Sequence, residues 1–200
     1  MKRVLVTAFE PFGGESINPA LEIARRLREM PQEDSVEVRT LTVPVTFADS
    51  HAVVIDELRR TCYDAVLLIG QAGGRSAVTV ERIGINVDDA GIPDNAGVKL
   101  TDEPILADGP AAYFATIPVK KVVEAIRAEG IPAAVSNSAG TFVCNHLMYR
   151  VLAHLDGSDT MAGFIHVPWL PVQVANRPSQ PSMSLDDMTR AIQTAIKALF

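Results

Sequence analysis

The sequence predicts an α/β sandwich built on a mostly parallel sheet. Three observations carry that expectation. Short apolar runs at 3–8, 36–43, 64–70 and 163–167 have the length and continuity of buried strands. Segments of helical period separate them. Capping or breaking residues mark the transitions, as Asn18-Pro19, Gly130 and Gly140 do. Strands alternating with helices over one chain imply a parallel sheet covered on its faces. No internal repeat and no linker composition interrupts residues 1–200, so a single domain is expected.

The elements follow in order. Residues 3–8 read as the first strand. Asn18 and Pro19 then suit the N-cap and first position of a helix whose apolar face is Ala20, Ile23, Ala24, Leu27 and Met30. Val36 to Val43 is the second strand. A second helix places Phe47, His51, Val54, Ile55, Leu58 and Cys62 on one stripe, which predicts that Cys62 is buried packing. Asp64 to Gly70 is a third, fully buried strand. Residues 76–88 alternate in two runs, Val78/Val80 and Ile83/Ile85/Val87, and read as an antiparallel excursion. Residues 89–110 are loop-rich. A helix from about Pro118 to Glu129 ends at Gly130, which suits the position after a C-cap. A strand over 132–138, a helix carrying Cys144 to about Leu155, and the 163–167 strand come next. The proline-rich segment 168–181 leads to a last helix, where Ser184 and Asp187 resemble a capping box. That segment suits either an interface arm or a loop over the site.

Bulk properties exclude several classes. The chain has 200 residues, of which 48% are hydrophobic, enough for a real core. Its net charge is −6 and no basic patch stands out, so no nucleic-acid partner is expected. No apolar run approaches the roughly 20 residues that span a bilayer, so no membrane partner is expected either. Met1 to Val4 leads straight into a strand without a signal pattern, and only two cysteines occur, so a cytoplasmic location without disulfides is expected.

Candidate chemistry gathers at strand ends, where open α/β sheets bind ligands. Phe9 to Gly14 follows the first strand, Gln71 to Arg75 the third, Ser136 to Cys144 the 132–138 strand, and His166 ends the last. Cys144 sits where a strand gives way to a helix, and the positive end of a helix dipole favours thiolate over thiol. Such a nucleophile needs a base. His51 lies on an apolar stripe and His154 on a helix surface. His146, two residues from Cys144, points about 200° away around the helix. His166 remains. Its second nitrogen needs an orienting group, for which Glu10, Glu81, Asp88, Asp89 and Asp94 are candidates. Glu81, between the two alternating runs, can be aimed inward. The glycines of 71–75 match neither dinucleotide nor phosphate-loop spacing. His and Cys never occur at zinc spacing with a second pair, so no metal is expected.

Seven segments together resemble the pyroglutamyl peptidase I family of cysteine peptidases. They are 9–14 (F-E-P-F-G-G), 70–75 (G-Q-A-G-G-R), Glu81-Arg82, 92–95 (I-P-D-N), 109–113 (G-P-A-A-Y), 138–146 (S-A-G-T-F-V-C-N-H) and 163–166 (G-F-I-H). The resemblance runs from about residue 2 to the last helix. It implies a three-layer α/β/α sandwich with a mostly parallel mixed sheet, often a homotetramer, working without a cofactor. It implies release of an N-terminal pyroglutamyl residue from peptides. By family pattern Cys144 is the nucleophile, His166 the base and Glu81 the residue that orients it. The lactam pocket it implies is walled by Phe9, Phe12, Phe142 and Val143, with Asn18 and the backbone around Gln71 as polar contacts. Gly91 stands where the family commonly has arginine, and Val172 where it commonly has glutamate. A missing cation at 91 would be replaced by Arg82 or Arg75. Failing that, the chain is a diverged thiol amidase acting on another small cyclic or acyl substrate.

Overall fold

The computed structural model describes residues 1–31 and 35–200. Its strands are β1 (Lys2–Phe9), β2 (Val36–Val43), β3 (Ala65–Gln71), β4 (Val78–Glu81), β5 (Ile83–Ile85), β6 (Ala112–Phe114), β7 (Ala133–Ser136) and β8 (Met161–Val167). Its helices are α1 (Pro19–Glu29), α2 (Ser50–Arg60), α3 (Val119–Ala128), α4 (Val143–His154) and α5 (Leu185–Ala198), with a short 3-10 turn over Pro171–Val174. Six strands form one sheet in the order β2-β1-β3-β8-β4-β7. Every neighbouring pair is parallel except β4 with β8.

The sheet is covered on both faces. Side chains of α1, α3 and α5, such as Ile23, Val122 and Met188, bury one face with Val4, Leu67 and Ile165. On the other, Val54 of α2 and Leu147 of α4 pack on Leu5, Val66, Leu68 and Phe164. The strands are near-continuous apolar runs because both of their faces are dry. This is the three-layer mixed sandwich expected from the sequence. No helix among the described residues is long and apolar enough to cross a membrane.

Local signals read from the sequence act as physical chemistry requires. Asn18 accepts the Ala20 N–H at 3.0 Å, and Pro19 opens α1. Gly130 takes φ +76° just beyond α3. Ser184 accepts the Asp187 N–H at 3.0 Å and donates its hydroxyl to the Asp187 carboxylate at 2.7 Å.

Three expectations are corrected. The stripe through Phe47 and Cys62 outruns its helix: α2 starts at Ser50 and is capped at Thr61, so Cys62 lies beyond the helix and is exposed. The excursion at 76–88 is divided. Its first run, β4, inserts into the main sheet, while β5 pairs antiparallel with β6 in a separate two-stranded sheet. The sequence reading missed β6, which has only three residues. The strand expected over 132–138 spans only Ala133–Ser136.

Candidate active site

The site is assembled on the α4 face by strand register. In a pleated strand alternate residues share a face, and partners across a ladder point the same way. Gly70 of β3 pairs with His166 of β8. On the other side of β8, Thr79 pairs with His166 and Glu81 with Phe164. Gly70, His166, Phe164, Thr79 and Glu81 therefore form one patch. Cys144 is the second residue of α4, and its sulfur lies above this patch. A Cβ added at Gly70 would stand 3.3 Å from the Cys144 Sγ and 2.8 Å from the Phe164 ring. Thiol and imidazole thus meet the same sheet face on adjoining strands.

That contact explains the glycine and makes a prediction. Gly70→Ala would push the Phe164 ring or the Cys144 sulfur aside. A loss of kcat/KM of about 10- to 100-fold is expected from misplacing the nucleophile, with a melting transition still present. Wild-type kinetics in the alanine variant would contradict the placement.

Glu81 is fully buried, and its Oε1 accepts from His166 Nδ1 at 2.8 Å. With Nδ1 donating, His166 Nε2 is the unprotonated, basic nitrogen of the neutral ring. The same Oε1 accepts from Arg75 Nη1 at 2.6 Å. Arg75 also donates to Thr79 Oγ1, and to the Ser138 carbonyl at 3.3 Å. Burial works to raise the Glu81 carboxyl, but the hydrogen bond and charge interaction with His166, with smaller contributions from nearby Ser136 and from Arg75, outweigh it and hold the group below its ordinary range. Burial lowers the His166 imidazole below its ordinary value. Arg75 adds to that and Glu81 opposes it.

The charge state of the sulfur differs from the sequence-based expectation. Burial pushes the Cys144 thiol up to about 12, and the Glu81 charge adds to the rise. Arg75 and the residue's own N–H at the helix start act the other way. Desolvation thus exceeds the dipole effect of an N-terminal position. The balance at Cys144 therefore favours the thiol over the thiolate.

The N-terminus of α4 is open. Phe142 is its N-cap and supplies no side-chain cap, and the first intrahelical bond runs from the His146 N–H to the Phe142 carbonyl. The N–H groups of Val143, Cys144 and Asn145 therefore precede the helix's own ladder. The first turn is clamped from below: Asn145, fully buried, accepts from the Ile85 N–H at 2.9 Å and donates to the Ile85 and Val87 carbonyls at 2.8 and 3.1 Å.

The five carboxylates left open by sequence now separate. Only Glu81 meets His166. Asp88 binds His146 Nδ1 at 2.7 Å, and His146 Nε2 meets His51 at 3.1 Å, so His146 faces away from the thiol as expected. Asp94 accepts the N–H groups of Phe47, Ala96 and Val98. Glu10 accepts from Asn95 Nδ2 at 2.8 Å and bridges to the Val45 N–H. The Asp89 backbone pairs with Thr141. His51 is half-buried and His154 exposed.

The pocket residues divide. Phe12 and Phe142 lie 6.1 Å apart between ring centres, and Phe47 meets Phe142 edge-on at 5.6 Å. Phe9 lies deeper, packed on Phe164 and nearly inaccessible. The Val143 side chain is fully buried in the core, so its free backbone N–H is what it offers. Both ends of the Asn18 amide are taken, by Ala20 and by the Glu10 carbonyl, so it shapes the loop. Gln71 is partly exposed, and its Oε1 accepts from Gln173 Nε2 at 2.8 Å.

Sequence reasoning missed Gln173, Trp169 and Phe47 as parts of this region. Segment 168–181 lies over the site's rim. Gln173 also donates to the Ile17 carbonyl at 3.3 Å, Arg177 pairs with Glu15 at 3.0 Å, and a Cβ at Gly73 would collide with Trp169 at 2.2 Å. The only signal for these contacts was the proline density of the segment. Val172 is 69% exposed, so its departure from the family pattern falls outside the packed region. Gly91 is also exposed, with nothing within 4 Å of an added Cβ. Arg75 is engaged by Glu81, Thr79 and Ser138 and does not stand in for a cation at 91.

A mixed α/β sandwich with a thiol, an imidazole and a buried carboxylate on one sheet face is the equipment of a thiol hydrolase. The pyroglutamyl peptidase family model matches residues 2–200. A pyrrolidone-carboxylate peptidase from a Thermoanaerobacter species is 55% identical over 199 residues, covering 98% of this chain and 97% of that one. Pyroglutamyl peptidase I from Bacillus amyloliquefaciens superposes with a TM-score of 0.95 at 43% identity, covering 99% of this chain and 94% of that one. A mutant pyrrolidone carboxyl peptidase from Pyrococcus furiosus gives 0.94 at 42% identity, covering 98% and 97%. The chain belongs to the pyroglutamyl peptidase family, which consists of cysteine peptidases.

Proposed function

We propose that the chain hydrolyses the N-terminal pyroglutamyl residue from peptides, with Cys144 as nucleophile, His166 as base and acid, and Glu81 as the orienting carboxylate. The observation that carries this reading is the Glu81–His166 hydrogen bond at 2.8 Å, on the sheet face that the Cys144 sulfur covers. The reading makes residues 1–200 one peptidase domain, cytoplasmic and assembled as a homotetramer, with no cofactor.

The geometry supports an ordered proton path. His166 Nε2 takes the proton from Cys144 as the sulfur attacks the pyroglutamyl carbonyl carbon. The carbonyl oxygen becomes an oxyanion that the free N–H groups of Cys144 and its neighbours at the α4 start can stabilise. The C–N bond breaks, and the imidazolium gives its proton to the leaving amine. A thioester remains. Water then gives a proton to His166 and attacks the thioester. The C–S bond breaks, free pyroglutamate departs, and the sulfur regains its proton from the imidazolium. Glu81 stabilises the positive ring at both stages and keeps Nδ1 protonated.

The flat lactam carries no ammonium, so its pocket needs apolar walls and a few aimed polar groups rather than a carboxylate. Phe12 and Phe142 suit the walls, with Phe9 behind them. Gln71, held by Gln173, suits the polar contact, and Asn18 and Val143 contribute by fixing the loop and the helix start. A panel of pyroglutamyl, prolyl and glutamyl fluorogenic amides tests the proposal. Turnover of the first alone is expected, and preference for either of the others would favour the diverged amidase.

The pH dependence has a definite direction. The working base is the neutral imidazole, and burial holds His166 below its usual 6.5. The ring stays uncharged down to its lowered value and is lost as a base only beneath it. The acid limb of kcat/KM is therefore expected below pH 6.5, and a limb above it would contradict the buried pair.

A further inference from the structure

We propose that Arg75 is a positioning residue of this site, holding the same Glu81 oxygen that His166 binds and setting the pH range in which His166 serves as a base. The inference rests on His166 being the base of the reaction proposed above.

One carboxylate oxygen accepts two donors, His166 Nδ1 at 2.8 Å and Arg75 Nη1 at 2.6 Å. The other oxygen, Oε2, is buried without a hydrogen-bond partner. Glu81 is wholly enclosed, whereas the Arg75 side chain is 31% exposed. A buried carboxylate facing only a neutral ring would be an uncompensated charge, which is costly. The guanidinium supplies the compensation and keeps its tip near solvent. Its planar fork lets one group serve several acceptors. Here they are Glu81 and Thr79 on β4 and the Ser138 carbonyl in the loop before α4. Arg75 therefore ties the strand that orients the base to the segment that delivers the nucleophile.

The electrostatics follow from what surrounds His166. Thr79 and Glu81 face it from β4, Phe164 lies beside it on β8, Gly70 flanks it on β3, and Cys144 covers the patch from α4. Of these groups and Arg75, Glu81 and Arg75 carry charge and Cys144 is titratable. The carboxylate favours a protonated ring and the guanidinium disfavours it. Without Arg75 only burial opposes the carboxylate, so the ring takes up its proton at higher pH. The base is then lost at higher pH as well.

The test uses wild type, Arg75→Lys and Arg75→Gln, each folded by circular dichroism. Two quantities are read: the pH profile of kcat/KM on a pyroglutamyl amide, and the NMR titration of the His166 ring without substrate. In Arg75→Gln both the acid limb and the ring titration are expected to move to higher pH. The loss falls on kcat with little change in KM, since the Arg75 guanidinium is engaged by Glu81, Thr79 and Ser138. Arg75→Lys keeps the charge and returns both readouts towards wild type. A lowered melting temperature with both readouts unmoved would overturn the proposal. Should wild type lack turnover, the assigned reaction fails, and the ring titration still decides the Arg75 coupling. Should Arg75→Gln not fold, cyclohexanedione modification of folded wild type replaces it, with Arg75→Lys as the resistant control. An unmoved titration there would also overturn the proposal.

Discussion

Replacing Cys144 by alanine is expected to lower turnover of a pyroglutamyl amide by at least about 10⁴-fold, as loss of a nucleophile that acts jointly with its base does elsewhere. The protein should still fold. The side chain lies beside Gly70, at the margin of the core, at the start of a helix whose deeper residues, Leu147, Met148 and Val151, make the core contacts. Removing one sulfur from that margin costs about 1 kcal/mol. Cys144→Ser should lose nearly as much activity. Its hydroxyl would sit in the same desolvated spot, where even the more acidic thiol is pushed up to about 12. Thermal melts and steady-state kinetics on the same preparations check both halves. Undiminished turnover in either variant would remove the sulfur from the reaction.

Glu81→Gln is expected to have the second largest effect, a fall in kcat of about 10³- to 10⁴-fold. The amide has the size of the carboxylate but not its charge. It must meet two donors, His166 Nδ1 and Arg75 Nη1, that now share one oxygen. Turned one way, it keeps that oxygen but cannot stabilise the imidazolium. Turned the other way, it presents N–H to Nδ1 and moves the ring proton to Nε2, the position that must accept from sulfur. Either arrangement weakens the base. The Glu81 charge also raises His166, so its loss lowers the ring further. The variant's residual activity should therefore extend to lower pH than wild type while its plateau collapses. Activity within tenfold of wild type would show that the carboxylate only packs.

These expectations show which parts of the molecule could be read before folding. Period and capping were enough for α1, whose Asn18 and Pro19 act at the positions they occupy in sequence. Continuity of apolar residues was enough for β3 and β8, which lie inside the sheet between other strands. The rule that sites gather beyond strand carboxyl ends found the residues near Gln71, Cys144 and His166.

It could not select Glu81. β4 runs against β8, so Glu81 pairs with Phe164, inside the sheet rather than at its rim. Reaching His166 from there depends on a register that no local pattern encodes. The family resemblance supplied the residue instead. Cys62 failed for the opposite reason. A helical stripe was extended past the point where Thr61 ends α2, and periodicity does not report where a helix stops. The ionisation of Cys144 failed on magnitude. The helix start does favour the thiolate, but that effect is worth about 0.3–1 kcal/mol, less than the cost of burying the charged sulfur. Arg75 was visible as a residue after two glycines, but not that it turns inward to Glu81.

The most direct measurement is to quench the reaction with acid during turnover of a pyroglutamyl amide and map the modified peptide by mass spectrometry. A pyroglutamyl group on the peptide containing Cys144, absent from Cys144→Ala and lost when turnover is allowed to finish, is the predicted result. Turnover with no acyl group on Cys144 at any time, or with the group on the exposed Cys62, would contradict the account.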